Sequence, residues 1–304
     1  MARPSNDGLP CDNRAMPADL GSILTAMVTP FDADGSVDEQ AAVALMNHLV
    51  EHGSDGLVIC GTTGEASTLD DEEHLGMIRL AVEEMKGRCP IVAGVGSNDT
   101  RHAVQMTERA TEIGPDALLH VNPYYNRPNR RGIVRHFEEV CRATDLPIVV
   151  YNIPQRTGSD MPNDLLAELA QLENIFAVKQ ANAANLAKVD GLRIYAGNDD
   201  LLADVLDLGE AGGILVASHI FGEEMHRMVD EPDRRREIDE SLKDVYRDMP
   251  VAPLACATKA ALNLLGILPT ATPRLPYVEL DERELDLIRS MLERHGLLQA
   301  VARD

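Results

Sequence analysis

The feature of this chain that most constrains its fold is a series of short apolar segments separated by stretches with helical periodicity. Each apolar segment is continuous rather than alternating, as expected for a strand buried on both faces of a parallel sheet. The eight segments are Ile23–Val28, Gly56–Cys60, Pro90–Val95, Ala117–Val121, Pro147–Asn152, Ile175–Val178, Arg193–Ala196 and Gly213–Ala217. Right-handed crossovers leave two α/β architectures, an open doubly wound sheet or a closed (β/α)8 barrel, and eight repeats favour the barrel.

Helices are predicted between the apolar segments from residues spaced three and four positions apart. The clearest helical segments are Glu39–Glu51, Asp71–Met85, Thr100–Ile113 and Gly132–Ala143. Thr68, followed three positions later by Asp71, resembles a capping box and predicts a helix start at this point.

After residue 217 the pattern contains helical segments only. Residues 230–233 mark a break, and further helices are predicted over Arg235–Arg247, Leu254–Leu265 and Asp281–Leu298, with a proline-rich loop over residues 269–276. We therefore divide the chain into an N-terminal extension (1–19), a catalytic barrel (20–231) and a C-terminal helical domain (232–304). The helical domain is expected to contact a partner or to cover one end of the barrel.

The charge of the chain excludes several classes of partner. The chain has 28 basic and 50 acidic residues, a net charge of −22, which repels phosphate backbones and anionic lipids. We therefore expect neither nucleic-acid nor membrane binding, and no apolar run reaches the ~18 residues of a membrane span.

The five cysteines are scattered without a CxxC pair, and residues 1–18 lack the apolar core of a signal peptide, so we expect a cytoplasmic protein.

Reactive groups in a (β/α)8 barrel lie at the carboxyl ends of the strands, and Lys179 follows the sixth apolar segment directly. A lysine at the end of a buried strand is partly desolvated, which lowers its pKa and provides the nucleophilic amine needed for a Schiff base. Only five of the 28 basic residues are lysines, so a lysine within an apolar segment suggests a specific role. The alternative is a side chain that extends from the strand end into water.

Tyr151 and Arg156 lie at the end of the fifth apolar segment. A tyrosine beside a pocket can transfer protons, and an arginine can bind a carboxylate through two hydrogen bonds. The alternative is a tyrosine that belongs to the core and an arginine in a surface ion pair.

The loop after the second apolar segment has the sequence GTTGE. Gly61 and Gly64 flank Thr62 and Thr63, an arrangement that leaves several backbone N–H groups free to bind one anion. The loop is neither a Walker loop nor GxGxxG, so it does not indicate nucleotide binding. A purely structural turn is the alternative, and Glu65 is expected to brace the loop.

Three further groups of residues are weaker candidates. The adjacent Tyr124 and Tyr125 fit packing at a subunit contact, with one hydroxyl also able to enter a site. Residues 48 and 52 are histidines with the spacing of a helical metal pair, but no HExxH accompanies them, so we expect no metal there. Asp199 and Asp200 are expected to cap the following helix rather than to bind a cation.

Four motifs in this order resemble those of dihydrodipicolinate synthases, which belong to the pyruvate-dependent class I aldolase superfamily. The motifs are GTTGE at 61–65, PYYNRP at 123–128, YNIPQRTG at 151–158 and the strand-end lysine at 179. The resemblance runs from about residue 21 to residue 298. It implies a (β/α)8 TIM barrel with a C-terminal helical domain, assembled as a homotetramer, a dimer of dimers.

The resemblance also implies roles for the catalytic residues. Lys179 looks like the Schiff-base lysine and Tyr151 like the tyrosine that handles protons. Thr62 and Tyr125 match the positions of a proton relay, in which the tyrosine comes from a neighbouring subunit. No metal or nucleotide cofactor is implied.

Substrate-binding roles follow from the same resemblance. Thr63 and the backbone of Ile214 match positions that bind pyruvate, and Gly61 and Gly64 shape the loop around it. Arg156 matches the arginine that receives the carboxylate of aspartate semialdehyde.

The implied reaction condenses pyruvate with L-aspartate 4-semialdehyde to 4-hydroxy-tetrahydrodipicolinate, a step of lysine and diaminopimelate biosynthesis. Ala66, Asn122 and Gln180 depart from the family pattern, whereas Arg156 favours the synthase over the sugar-acid branches. The alternatives are a 2-keto-3-deoxy sugar-acid aldolase or N-acetylneuraminate lyase with the same pyruvate chemistry, a metal-dependent barrel aldolase, and a non-catalytic relative that binds pyruvate or a protein.

Overall fold

The structure, a computed structural model, describes residues 19–299. The predicted N-terminal extension therefore lies outside the described residues, apart from residue 19. Eight parallel strands pair in sequence order and close into a barrel, which confirms the predicted fold. The strands are β1 (Ile23–Ala26), β2 (Gly56–Ile59), β3 (Ile91–Gly94), β4 (Ala117–Val121), β5 (Ile148–Asn152), β6 (Ile175–Gln180), β7 (Arg193–Ala196) and β8 (Gly212–Leu215).

Several strands end at residues other than those predicted, because the backbone changes hydrogen-bond partners. β1 and β8 each stop two residues earlier than predicted. The N–H of Val28 donates to Nε2 of His219, and the N–H of Val216 donates to Asp199, so neither group is available to the sheet. β6 instead continues for two residues past the predicted end and includes Lys179.

The helices that surround the barrel are α1 (Glu39–Glu51), α2 (Asp71–Met85), α3 (Thr100–Ile113), α4 (Arg130–Arg142), α5 (Pro154–Thr157), α6 (Asn163–Leu169), α7 (Leu202–Asp207) and α8 (Ser218–Asp230). The first three have the predicted bounds. The predicted capping box is wrong, because Asp70 caps α2 by accepting from the N–H groups of Glu72 and Glu73. The Glu73 carboxylate completes the box at the N–H of Asp70, whereas the Thr68 hydroxyl donates to the carbonyl of Glu65.

The C-terminal helices are α9 (Arg235–Ser241), α10 (Lys243–Asp248), α11 (Leu254–Leu264) and α12 (Glu282–Arg294). The single helix predicted over 235–247 is therefore wrong. Leu242 separates α9 from α10 at φ −103° and ψ 2°, and its side chain is buried in the core that the barrel helices also line. The boundary at residues 231 and 232 stays a prediction.

The core has two layers, because alternate residues of each strand point inward and outward. The outward residues pack against the helices. The inward residues fill the barrel and include Val149, Tyr151, Ala177 and Ile214. Lys179 lies two positions after Ala177 and therefore shares its inward face. Among residues 19–299, no helix is long and apolar enough to cross a membrane.

Candidate active site

A cavity of about 410 Å³ opens at the carboxyl ends of several barrel strands. Four of the residues predicted from the sequence line it, namely Gly61, Thr62, Tyr151 and Arg156. Their convergence follows from closure of the sheet, since parallel strands of a barrel all end on the same face. Lys179, Thr63, Gly64 and Ile214 are not among the lining residues, and all four are buried.

Lys179 lies directly beside Tyr151, because the two residues are partners in the register of β5 and β6. The Nζ atom of Lys179 is 4.4 Å from the centroid of the Tyr151 ring. The lysine is only 5% exposed, and no carboxylate of residues 19–299 forms an ion pair with it. The structure therefore buries an amine against the tyrosine that lines the cavity.

Burial lowers the pKa of Lys179 to about 8. The charge of Asp199 opposes this effect, and the positive charge of Arg156 adds to it. With this pKa, roughly a tenth of the amine is uncharged and nucleophilic at neutral pH. Burial also raises the pKa of Tyr151 above its usual value, so its hydroxyl stays protonated and can donate a proton.

Asp199 does not cap the helix that follows it, so that prediction is wrong. Its Oδ1 atom accepts from the N–H groups of Val216, at 2.8 Å, and Ala217, at 3.0 Å. These N–H groups precede α8, where a carboxylate also interacts favourably with the helix dipole. Asp199 thus connects the end of β7 to the end of β8 and places a negative charge near Lys179. Within residues 19–299, no cluster of three or more potential metal ligands occurs.

The glycine–threonine loop, residues 61–65, packs tightly against the end of β1. The hydroxyl of Thr29 donates to the carbonyl of Gly64 at 2.7 Å. A Cβ atom on Gly64 would lie 3.0 Å from the carbonyl oxygen of Met27, so this close approach favours glycine. Thr62 is exposed to the cavity, whereas Thr63 is buried in the turn.

The predicted bracing role of Glu65 is confirmed. Its Oε1 atom pairs with Nζ of Lys259, and its Oε2 atom accepts from the N–H of Arg274 at 2.9 Å. Sequence reasoning missed both partners. The available signal was a lysine within the apolar segment that forms α11, in a chain with only five lysines.

Tyr125 does not enter the cavity of its own chain. Its φ is +70°, and 89% of the residue is exposed. The neighbouring Tyr124 does line the cavity. The loop is held by bonds from the N–H of Tyr125 to the carbonyl of Thr157 and from Asn98 to the carbonyl of Tyr124. The Tyr125 side chain is therefore exposed to solvent on a hydrogen-bonded loop beside the cavity.

Two of the three departures from the family pattern have structural roles outside the cavity. Asn122 is buried, and its amide donates to the carbonyl and hydroxyl of Ser159. The side-chain oxygen of Gln180 accepts from the Asn152 amide and from the N–H of Asn182. Ala66 is the only one of the three that lines the cavity.

The two charges near Lys179 allow a test of its pKa. We expect Arg156→Gln to raise the pKa of Lys179, because it removes a neighbouring positive charge. We expect Asp199→Asn to lower it, because the amide still accepts from the backbone but carries no charge. The measurement is a pH titration of the side-chain ¹³Cε signals in protein labelled with ¹³C-lysine, with the Lys179 signal assigned by its loss in Lys179→Ala.

In the unsubstituted chain, the Lys179 signal should titrate at about 8. An exposed lysine titrates at about 10.4. A Lys179 midpoint near this general value, or shifts of the same sign in both variants, would contradict this electrostatic description.

Comparison with known proteins identifies the family. A model described as "Dihydrodipicolinate synthetase family" matches residues 19–295. A 4-hydroxy-tetrahydrodipicolinate synthase from Caldicellulosiruptor bescii is 37% identical over 283 residues, which cover 90% of this chain and 96% of the relative.

Solved structures of similar proteins agree with this match. The Cyanidioschyzon merolae enzyme with lysine bound has a TM-score of 0.88 at 35% identity and covers 92% of this chain and 99% of its own. The chloride-inhibited dihydrodipicolinate synthase from Acinetobacter baumannii, in complex with pyruvate, has a TM-score of 0.87 at 32% identity. The match covers 92% of this chain and 100% of that structure's chain. The chain described here, with its closed barrel and its strand-end lysine, belongs to the dihydrodipicolinate synthetase family.

Proposed function

We propose that this protein condenses pyruvate with L-aspartate 4-semialdehyde to form 4-hydroxy-tetrahydrodipicolinate through a Schiff base on Lys179. The observation that carries the proposal is the buried amine of Lys179, which has a pKa of about 8 and lies 4.4 Å from the Tyr151 ring. Family membership supports the same reaction. The protein is thus a class I pyruvate-dependent lyase that acts in lysine and diaminopimelate biosynthesis.

The first half of the reaction activates pyruvate. The uncharged Lys179 amine attacks the keto carbon, and loss of water leaves an iminium ion. The positive charge on nitrogen makes the adjacent methyl group acidic, so loss of one of its protons gives an enamine. We assign the proton transfers in these steps to Tyr151, which lines the cavity, and Thr62 provides a second hydroxyl there.

The carboxylate of pyruvate binds to backbone N–H groups at the glycine–threonine loop. Gly61 and Thr62 face the cavity, and Thr63, with the backbone of Ile214 on the inner face of β8, completes the proposed pocket. Successive N–H groups in a tight turn form a concave anion site of the kind required.

Arg156 binds the carboxylate of the second substrate. It is exposed at the cavity, and its charge acts on both Lys179 and Tyr151. Both substrates are anionic whereas the chain carries a net charge of −22, so a local positive group is needed at the entrance. The enamine carbon attacks the aldehyde of the bound semialdehyde, and the product leaves the lysine as it cyclises.

The proposed assembly is a homotetramer in which each site receives Tyr125 from a neighbouring subunit. The support is the position of Tyr125, which is 89% exposed beside the cavity rather than inside it.

We further propose that the reaction takes place in the cytoplasm. The free thiols of Cys60, Cys89 and Cys141 support a reducing compartment.

Reduction with borohydride in the presence of pyruvate tests the Schiff base. We expect an Nε-(1-carboxyethyl) adduct on Lys179 and on no other lysine, because this amine is partly uncharged at neutral pH and lies beside the cavity-lining Tyr151. Mass spectrometry of peptides measures the adduct. The Lys179→Ala protein should remain unlabelled, and Lys86→Ala, which changes an exposed lysine, should label normally. Adduct on another lysine would overturn the assignment.

Arg156→Ala tests the second substrate. We expect kcat/KM for aspartate semialdehyde to fall ~100-fold or more, since a bidentate charged contact to the substrate carboxylate is lost. Schiff-base formation with pyruvate should be retained. The controls are Arg127→Ala, which alters another exposed arginine of these loops, and assays with sugar-derived aldehydes. A preference of the unsubstituted chain for a sugar aldehyde would instead support the sugar-acid aldolase alternative.

Complementation tests the exchange of Tyr125 between subunits. We expect Lys179→Ala and Tyr125→Phe to be strongly impaired when each is assembled alone. Tetramers formed by mixing the two chains should regain activity, because an intact Lys179 site receives an intact Tyr125 from its neighbour. Activity of mixed samples is compared with that of the separate variants, alongside sedimentation velocity. No recovery in verified mixed assemblies would show that Tyr125 does not act across a subunit contact.

A further inference from the structure

A buried ion pair lies behind the glycine–threonine loop, outside the cavity itself. Glu65 and Lys259 are each only 1% exposed, and Nζ of the lysine is 2.5 Å from Oε1 of the glutamate. Lys259 projects from the middle of α11 and also donates to the carbonyl of Thr272 at 3.0 Å. Its ammonium lies 4.0 Å from the centroid of the Phe31 ring. The pair therefore joins the barrel loop to the C-terminal helices.

A contribution to folding stability does not by itself explain a buried ion pair of this kind. Removing two charges from water costs free energy that their attraction only partly offsets, and apolar residues of similar volume often stabilise a core equally well. The mechanism proposed above does not use either residue.

The pair holds an unfavourable backbone conformation at the end of the loop. Glu65 has φ +53°, a left-handed conformation that non-glycine residues rarely adopt. Its N–H donates to the carbonyl of Thr62 at 3.2 Å, so the turn that carries Thr62 closes on Glu65. The N–H of Ala66 donates to the carbonyl of Gly61 in the same turn. Fixing the Glu65 side chain thus fixes the orientation of the cavity-facing threonine.

Arg274 extends the connection to the second oxygen of Glu65. Its N–H donates to Oε2 of Glu65 at 2.9 Å, and its guanidinium binds both carboxylate oxygens of Glu73 at 2.6 Å. It also donates to the carbonyl of Thr68 at 2.9 Å. Three residues further along the chain, Tyr277 lines the cavity. The charged cluster of Glu65, Lys259, Arg274 and Glu73 therefore contacts two segments that line the cavity, the one with Thr62 and the one with Tyr277.

We propose that Glu65 and Lys259 are positioning residues, which hold the glycine–threonine loop in the geometry that binds the pyruvate carboxylate. This inference rests on the proposed function, because it deepens the account of the pyruvate site. Neither residue touches the substrate. The C-terminal helices thereby act on pyruvate binding through one buried contact.

The test compares Glu65→Gln with the double variant Glu65→Gln/Lys259→Met. The single variant leaves one buried charge without its partner, whereas the double variant removes both charges and retains the fold more readily. In both we expect the pyruvate concentration for half-maximal borohydride trapping, and the KM for pyruvate, to rise ~10-fold or more, since small misplacements of binding groups have large effects. A smaller change in kcat is expected, because the reacting groups Lys179 and Tyr151 are intact.

A matched control is the pair between Lys243 and Asp239, 2.7 Å apart, whose carboxylate is also buried. It connects α9 and α10 and does not contact residues 61–65. Asp239→Asn/Lys243→Met should leave the half-saturating pyruvate concentration unchanged, whatever its effect on the thermal midpoint. A purely structural role of the Glu65–Lys259 pair would give this same result.

The outcomes separate the two proposals. If the unsubstituted chain forms no pyruvate adduct, the proposed function fails, and the positioning role fails with it. If the unsubstituted chain is labelled and the folded double variant has the same half-saturation, only the positioning role is wrong. If neither variant folds, Glu65→Asp replaces them, because it keeps the charge but shortens the side chain that reaches Lys259 and the N–H of Arg274, and an unchanged half-saturation there overturns the inference.

Discussion

Closure of the sheet between β8 and β1 is the constraint on which the site depends. Gly212 makes this closure sterically feasible, since it has φ +140° and a Cβ atom there would lie 2.0 Å from the carbonyl oxygen of Ser22. The N–H of Gly213 donates to the same carbonyl at 2.8 Å. Beyond the strand ends, His219 accepts from the N–H of Val28 and bonds to the carbonyl of Val216, so one buried side chain joins β1 to β8. Because the sheet closes, all eight carboxyl ends lie at the same end of the barrel, and several of them border the cavity.

Two buried lysines show how a single partner determines the behaviour of a buried amine. Both have pKa values lowered by burial. Lys259 has a carboxylate in contact, which favours its ammonium form and gives it a fixed structural position. Lys179 instead packs against the face of a tyrosine ring. The carboxylate that acts on its charge, Asp199, accepts hydrogen bonds from two backbone N–H groups rather than from the lysine. An amine without an ion-pair partner at the mouth of a barrel is available for covalent chemistry.

Local patterns predicted much of the fold and the residue types at the strand ends. The bounds of α1, α2 and α3 follow from helical periodicity, which depends on neighbours three and four positions away. The errors occur where a distant contact overrides the local pattern. The break at Leu242 buries that side chain in the shared core, and Asp199 binds two N–H groups that precede α8 because the closed barrel brings the two segments together.

The sequence by itself determined the order of strands and helices and the presence of a lysine, a tyrosine, an arginine and a glycine–threonine loop at strand ends. These depend on the period of apolar residues and on the chemistry of single side chains. Only the tertiary structure decided that Tyr151 and Lys179 are neighbours, that Tyr125 does not line the cavity of its own chain, and that Glu65 pairs with Lys259 across 194 positions of the chain. Desolvation and charge pairing depend on which distant residues pack together, and no local pattern carries that information.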